Sequence, residues 1–228
     1  MSEALRTGSA VLGPGNETPR AKSAVLRTGR LVLHPVSMSD HRALHTHWTG
    51  PLVRRHLFGD QVISPVQVTG IIAASQRDFA IEGFGLWALR PSAPGLSGLS
   101  GRHGLGDPHR LSEPHGARLV GVAGLRRHDG PADGAVDVEI LYSLEPDRWG
   151  QGLAVEASRA VLGYAFEVVG LRRITAEIDA SSASSAAVAE QLGMRPWHEG
   201  PDGPDGASYV AAERTHWLRS RRGIDAVP

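Results

Sequence analysis

The sequence predicts a mixed α/β domain in which helices flank one central sheet. Early helical patterns give way to an antiparallel run of strand patterns, and a strand–helix–strand–helix–strand succession follows. This order is typical of a single sheet covered by helices. The chain has 228 residues, of which 41% are hydrophobic, enough for one domain with a packed core.

The first half of the chain carries two strand patterns and two helix patterns. We expect strands over residues 31–33 and 84–89, and a short helix over residues 40–48. A longer helix should begin after Ser64 and run to about residue 81. Its start is marked by a serine cap, a proline in the first turn and a glutamine three residues after the serine.

The second half alternates strands and helices more regularly. Apolar residues recur at helical spacing over residues 151–169, which predicts an amphipathic helix. A second helix is expected over residues 183–192, closed by Gly193, and a turn over residues 128–134. Strands are expected over residues 119–125, 136–144, 173–178 and 209–211.

Two long segments lack any periodicity and are rich in glycine, proline and polar residues. Residues 1–24 are therefore expected to be a disordered tail, and residues 91–118 a flexible insertion. The folded domain is expected to cover residues 25–218, with a C-terminal tail over residues 219–228.

Composition excludes several classes of protein. The 24 basic and 24 acidic residues balance, whereas a nucleic-acid binder needs a basic surface. Without cysteine there can be no disulfide framework, cysteine nucleophile or thiolate zinc site. No apolar stretch reaches the ~20 residues that span a bilayer, and no secretory signal is evident. We expect a cytoplasmic protein that binds neither nucleic acid nor membrane.

The most informative segment covers residues 139–154, where a strand meets a proline and a glycine-rich turn opens a helix. Gly150 and Gly152 let the backbone approach a ligand, and the start of the helix presents N–H groups suited to phosphates. A P-loop would need a lysine here, but Lys22 is the only lysine in the chain. No GxGxxG motif follows a strand. The phosphates are therefore not expected to be those of a nucleoside triphosphate or NAD.

This segment resembles the GNAT acyl-CoA-dependent N-acyltransferases. The resemblance rests on a strand, then Pro-x-x-Trp-Gly-Gln-Gly-Leu-Ala-x-Glu, then a helix, a strand and a serine-rich helix that ends at Leu192-Gly193-Met194. It covers residues 26–217 and is strongest for the ribosomal-protein N-terminal acetyltransferase branch. The GNAT fold it implies has a central, mostly antiparallel, twisted sheet flanked by helices. A V-shaped splay is expected between the fourth and fifth strands, residues 136–144 and 173–178.

The resemblance also implies where acetyl-CoA, as co-substrate, would bind. The pyrophosphate motif of the family falls on Trp149, Gly150, Gln151, Gly152, Leu153 and Ala154. Trp149 stands where the family usually has arginine or glutamine, so backbone amides would do most of the phosphate binding. Pantetheine binding and polarisation of the thioester carbonyl are implied for the strand residues Ile140, Leu141, Tyr142 and Leu144.

Three residues are candidates for catalysis. Glu139 lies where the family often places its general base, although it could equally be a strand-face glutamate in a surface ion pair. Many family members protonate the CoA thiolate with a tyrosine at the position of Ala189, which this chain lacks. Ser182 and Ser185 are the remaining hydroxyl candidates. One should cap the following helix and the other should contact the cofactor, without a sequence signal to say which.

The implied function is direct transfer of acetyl from acetyl-CoA to a primary amine, either a protein N-terminus or a small-molecule amine, by a monomer or a homodimer. No metal is expected, since His41, His45 and His47 suggest a solvated helix face. The arginine pair Arg126-Arg127 is interpreted as solvated charge. With no cysteine and no activated serine, no covalent intermediate is expected. The alternatives are a non-catalytic acyl-CoA sensor and an N-acyltransferase that uses succinyl-CoA.

Overall fold

The computed structural model describes residues 24–92, 118–129, 136–179, 182–197 and 208–224. The expected N-terminal tail, apart from Ala24, and the interior of the expected 91–118 insertion lie outside the described residues. The predicted turn over residues 128–134 also lies mostly outside the described residues, and its first two residues, 128 and 129, instead continue a strand.

The described strands form one eight-stranded sheet with the order β1-β2-β3-β4-β5-β6-β8-β7. Neighbouring strands run antiparallel, except for β5 and β6, which run parallel. This confirms the predicted mixed α/β fold and its mostly antiparallel sheet. The strands are β1 (Leu26–Arg27), β2 (Leu31–Pro35), β3 (Leu86–Pro91), β4 (Gly121–Asp129), β5 (Val136–Leu144), β6 (Arg173–Ile178), β7 (Arg195–Pro196) and β8 (Ser208–Glu213).

The described helices are α1 (His41–Thr49), α2 (Pro51–Leu57), α3 (Pro65–Glu82), α4 (Leu153–Tyr164), α5 (Ala183–Gln191) and α6 (Arg214–Ile224). A π-helical turn, Ala165–Val169, prolongs α4. Helix α2 was not predicted, because Pro51 opens it directly after the Gly50 that ends α1. Helix α6 runs past residue 218, where the domain was expected to end.

Helix α3 shows how the sequence sets an element boundary. The Ser64 hydroxyl accepts a hydrogen bond from the Gln67 backbone N–H, and the Gln67 side chain accepts one from the Ser64 N–H. The helix ends at Gly83, which has a φ of 80° in the left-handed region that glycine tolerates. The predicted bounds of this helix are confirmed to within one residue.

Strand β5 lies between two hydrophobic cores on opposite faces of the sheet. Ile140 and Leu144 pack into the core that includes α4. Leu141 points the other way and packs against the core formed with α1 and α3. This alternation follows from the two-residue period of a strand. The same strand therefore carries side chains to both faces at the place where the site is expected.

Strands β5 and β6 diverge as the resemblance predicted. The strand β5 is paired with β4 from end to end. Its register with β6 consists of one residue pair, Glu139 opposite Thr175. The short strand β1 adds one to the count, so the predicted fourth and fifth strands are β5 and β6 here. A gap between these two strands leaves one edge of β5 available to a ligand.

Candidate active site

The turn between β5 and α4 has the backbone shape that its glycines permit. Gly150 has a φ of 70° and Gly152 a φ of 72°, both in the left-handed region. A Cβ atom at Gly150 would meet nothing within 4 Å, so the need for glycine there is conformational and not steric. Two left-handed residues this close together let the chain reverse sharply and start α4 at Leu153.

This turn presents a set of backbone donors. Within the described part of the chain, no backbone acceptor takes a hydrogen bond from the N–H groups of residues 150–154. These groups lie at the positive end of the α4 dipole. Converging N–H groups at a helix start bind phosphate oxygens. The turn therefore fits the pyrophosphate of acyl-CoA by its geometry.

Trp149 does not act as a side-chain donor toward this turn. Its indole Nε1–H donates to the Leu144 carbonyl at 2.9 Å, and its backbone N–H donates to the Pro146 carbonyl at 3.3 Å. The ring also meets His56 of α2 edge to face, with centroids 6.5 Å apart. Trp149 thus closes the end of β5. The donors of this turn without a described backbone acceptor are therefore backbone N–H groups, whereas the indole N–H is committed to Leu144.

An arginine from the β1–β2 connection joins the turn. The Arg30 Nη1–H donates to the Gln151 carbonyl at 2.7 Å, and the Arg30 Nε–H donates to Glu156 Oε2 at 2.6 Å. Burial raises the pKa of Glu156, but hydrogen bonds from Thr28 and Arg30 outweigh it and hold the pKa below its usual range. Sequence reasoning missed Arg30 because no local signal connects residues that lie more than a hundred positions apart.

Glu139, the predicted general base, lies where the gap between β5 and β6 begins. Glu139 is 7% exposed and belongs to the one residue pair that joins β5 to β6. Its Oε2 accepts a hydrogen bond from Arg126 Nε at 2.7 Å, directly across from it on β4. Arg126 and Arg127 are exposed, as interpreted, with side chains 57% and 54% exposed, but each also forms an ion pair, since Arg127 pairs with Glu82 at 3.1 Å. Glu139 is both half of an ion pair and a carboxylate at the gap.

Tyr209 on β8 shares the face of the sheet that carries Glu139. It lies opposite Glu177 in the β6–β8 register, and Glu177 is two residues from Thr175. Partial burial and then the negative charges of Glu177 and Glu139 raise the pKa of Tyr209. The phenol therefore keeps its proton at neutral pH beside the candidate base. The sequence marked Tyr209 only as the start of a strand.

The two serines of α5 have different contacts. Ser182 is the N-cap, because its hydroxyl accepts from the Ser185 backbone N–H at 3.4 Å. Its hydroxyl also donates to the Ser185 hydroxyl at 2.8 Å. Burial raises the pKa of Tyr142, and a hydrogen bond from Ser185 opposes this increase. The hydroxyls of Ser182, Ser185 and Tyr142 therefore form a chain beside the gap, while Ala189 is buried in the core.

A second hydrogen-bonded chain was not foreseen. His47 Nε2 lies 2.8 Å from the Ser143 hydroxyl, and His47 Nδ1 lies 3.0 Å from Glu145 Oε1. The expectation of a solvated helix face is therefore wrong for His47, which is buried, and the sequence did not predict that a serine would be bonded to a histidine–carboxylate pair. These residues are almost a hundred positions apart, so spacing could not reveal them. The Ser143 hydroxyl faces α1, and the imidazole is fully enclosed.

His41 Nε2 lies 2.9 Å from the Pro65 carbonyl, as part of a helix–helix contact. Among the described residues there is no group of three or more His, Cys, Asp or Glu side chains placed to hold a metal ion. Nor is any helix in the described ranges long and apolar enough to cross a bilayer.

Comparisons with known proteins agree with this geometry. The family model described as "Acetyltransferase (GNAT) domain" matches residues 30–195. The Bacillus subtilis protein named Uncharacterized N-acetyltransferase YoaA is 24% identical over 179 residues, which cover 75% of this chain and 82% of that protein. An acetyltransferase structure from Agrobacterium tumefaciens is similar with a TM-score of 0.62 at 20% identity, covering 87% of this chain and 99% of its own.

The Vibrio cholerae spermidine N-acetyltransferase, whose structure holds CoA and spermine, is similar with a TM-score of 0.59 at 12% identity. That match covers 84% of this chain and 99% of the other. At such identities the solved structures establish the fold, whereas the family model spans most of the chain. The chain therefore belongs to the GNAT family and is an N-acetyltransferase of that family.

Proposed function

We propose that this enzyme transfers acetyl from acetyl-CoA directly to a single primary amine, on a protein N-terminus or a small molecule. The observation that carries the proposal is the turn at residues 150–154, whose backbone N–H groups face no backbone acceptor in the described chain, next to the free edge of β5. Acetyl-CoA supplies the activated acyl group. The chain's own residues bind it, orient it and move the protons.

The binding surface has two parts. The N–H groups of the turn and the α4 dipole would hold the pyrophosphate. Backbone groups of residues 140–144, which have partners on β4 but no register with β6, would hydrogen-bond the pantetheine arm. A backbone N–H of β5 facing the gap would polarise the thioester carbonyl, an arrangement worth a few kcal/mol, or roughly 10²–10³ in rate.

Glu139 would take the proton that the acceptor amine must lose. Its carboxylate is largely buried at the point where β5 and β6 part, and Arg126 donates a hydrogen bond to its Oε2. A positioned carboxylate in such a site can accept a proton directly or through water. Tyr142, held by Ser185 and kept protonated by burial, could return a proton to the departing CoA thiolate. Tyr142 would thereby take the role of the tyrosine that many family members have at the position of Ala189.

The charges on α2 give no support to a polycationic acceptor. Helix α2, which contacts the turn through His56 and Trp149, carries Arg54 and Arg55 and no acidic residue. Arg54 is paired with Asp60 at 2.8 Å, and Arg55 adds a positive charge that would not attract a second or third ammonium group. The 12% identity to a spermidine acetyltransferase supports the fold only and does not argue for a polyamine.

Membership of the ribosomal-protein N-terminal acetyltransferase branch is part of the proposal. The motif Pro146-x-x-Trp149-Gly150-Gln151-Gly152 supports it. A Vibrio cholerae structure named for ribosomal-protein-serine acetylation is similar with a TM-score of 0.55, but its 16% identity supports only the fold. An acceptor with a peptide backbone next to its amine is therefore the first class to assay.

The test is release of CoA thiol from acetyl-CoA in the presence of a panel of amines: peptides with free N-termini, amino acids, monoamines and polyamines. We expect turnover with at least one acceptor that has a single amine. Glu139→Gln should bind acetyl-CoA as the wild type does, but lower kcat about 10²-fold or more at neutral pH, since general base catalysis contributes this much.

Glu82→Gln is the matched control, since it also breaks a Glu–Arg pair but lies on α3. It should leave kcat unchanged. Acetyl-CoA binding without thiol release for any acceptor would favour a non-catalytic sensor. Full activity in Glu139→Gln would remove this carboxylate from the mechanism.

A further inference from the structure

Arg30 makes contacts that order the phosphate-binding turn. Its side chain is 53% exposed, yet three of its nitrogens are committed. Nη1 donates to the Gln151 carbonyl at 2.7 Å, while Nε and Nη2 each lie 2.6 Å from Glu156 Oε2. The Arg30 backbone N–H donates to the other oxygen, Glu156 Oε1, at 2.9 Å. The β1–β2 connection is thereby fastened to the start of α4.

The bond to Gln151 fixes the direction of a donor. The described chain contains no cis peptide bond, so the Gln151 carbonyl and the Gly152 N–H point in opposite directions. Arg30 holds the carbonyl on its own side of the turn. The Gly152 N–H therefore points away from Arg30, on the side where the N–H groups of the turn have no described backbone acceptor. Gly152 has a φ of 72°, and glycine alone would leave this peptide free to rotate.

The ion pair with Arg30 also compensates the negative charge of Glu156. Glu156 lies one turn into α4, close to the place where the pyrophosphate would bind. Its pKa is held low by Thr28 and Arg30 despite partial burial, so it is ionised at neutral pH. An uncompensated carboxylate there would repel the phosphates. Arg30 neutralises it without facing the ligand side of the Gly152 peptide.

We propose that Arg30 is a positioning residue for acyl-CoA binding: it orients the Gln151–Gly152 peptide and neutralises Glu156. This inference rests on the proposed function, because it concerns the same phosphate site. Arg30 itself is not placed as a ligand of the phosphates.

The experiment compares two ligands that differ in the pyrophosphate. Dissociation constants are measured for acetyl-CoA by calorimetry and for acetyl-pantetheine, which has no phosphate, by NMR titration. Arg30→Met should weaken acetyl-CoA binding about tenfold or more, since hydrogen bonds to charged groups are the strong class. Its affinity for acetyl-pantetheine should stay within about twofold of the wild type, a selectivity that general disruption of the fold would not produce.

Two further variants separate the contributions. Arg30→Lys keeps a positive charge near Glu156, but an ammonium group lacks the planar set of donors with which the guanidinium binds Gln151 and Glu156 together. Its affinity for acetyl-CoA should therefore fall less than that of Arg30→Met. Arg77→Met removes an exposed arginine from α3 and should bind acetyl-CoA like the wild type. Should Arg30→Met fail to fold, Arg30→Lys carries the comparison of the two ligands.

The outcomes distinguish this inference from the proposed function. If the wild type binds acetyl-CoA and both Arg30 variants bind it equally well, Arg30 has no positioning role. An equal loss for acetyl-CoA and acetyl-pantetheine would likewise overturn the inference, because the effect would not depend on phosphate. Failure of the folded wild type to bind acetyl-CoA would instead contradict the proposed function.

Discussion

At the scale of single residues, His47 shows how burial and hydrogen bonding set a protonation state. The imidazole is fully enclosed and joins α1 to Ser143 and Glu145, the residues on either side of the end of β5. Burial lowers its pKa, although the Glu145 carboxylate and the Ser143 contact oppose this. The neutral ring can donate from Nδ1 to Glu145 and accept at Nε2 from Ser143, so both ring nitrogens are satisfied.

The lowered pKa predicts a pH-dependent stability. The unfolded chain, with a histidine near its ordinary value of 6.5, binds a proton at a higher pH than the folded chain does. The contribution of His47 is therefore complete above about pH 6.5 and is lost as the pH falls toward the folded pKa. Urea unfolding at pH 7.5 and 5.5 should show a smaller pH dependence for His47→Gln than for the wild type.

The same substitution should also lower the free energy of unfolding at pH 7.5 by about 1–3 kcal/mol, because it leaves buried polar partners poorly satisfied. His45→Gln, on the half-buried side of α1, is the control. An unchanged pH dependence in His47→Gln would show that this imidazole does not titrate between the two conditions.

Individual residues were predictable where their role depends on local sequence. A serine cap before α5 and Glu139 on the strand before the glycine turn belong to this group, although no sequence signal distinguished Ser182 from Ser185 as the cap. Arg30, His47 and Tyr209 do not, since each acquires its partners only when distant strands and helices meet. The abundance of arginine also hid Arg30, because nothing in the sequence distinguishes it from the other arginines.

At the scale of elements, the turn that opens α4 depends on two left-handed glycines. Replacing Gly152, at φ 72°, by valine forces a β-branched residue into a region that costs roughly 1–2 kcal/mol. The turn should respond by rotating the peptide that Arg30 holds. Gly152→Val should therefore lose at least tenfold in acetyl-CoA affinity, measured by calorimetry, while the circular dichroism spectrum stays that of a folded protein.

Gly170 provides the matched control for this substitution. It has a φ of 84°, and an added Cβ would meet nothing within 4 Å, but it ends the π-helical turn after α4. Gly170→Val should carry a similar stability cost and leave acetyl-CoA affinity intact. Equal affinity in Gly152→Val and Gly170→Val would place the phosphate site elsewhere.

Elements were predictable where a boundary signal is local. The capping box fixed the start of α3, and the glycine turn fixed the end of β5 and the start of α4. Strands β3 and β4 begin two residues later than predicted. Residues 84–85 and 119–120 have the apolar pattern of a strand because they are buried, but they lie outside the paired strands. Helix α2 escaped prediction since it follows α1 without a polar linker.

At the scale of the whole molecule, the sheet topology explains why the candidate site is proposed at β5. This strand belongs to both hydrophobic cores, is paired fully on one side and is nearly unpaired with β6 on the other. A rigid strand with one open edge can bind an extended ligand through its backbone without rearranging a core. The order of helix and strand patterns predicted the fold class, whereas the resemblance to a family predicted the gap.

The central claim is that the turn at residues 150–154 and the gap beside β5 bind acetyl-CoA. It is tested most directly by calorimetric titration of the purified protein with acetyl-CoA, with CoA and succinyl-CoA in parallel. Acetyl-CoA should bind with one-to-one stoichiometry, and CoA should also bind because it shares the pyrophosphate and the pantetheine arm. Tighter binding of succinyl-CoA than of acetyl-CoA would indicate that succinyl, and not acetyl, is the acyl group that the enzyme transfers. Absence of binding for all three ligands in a folded sample would contradict the account.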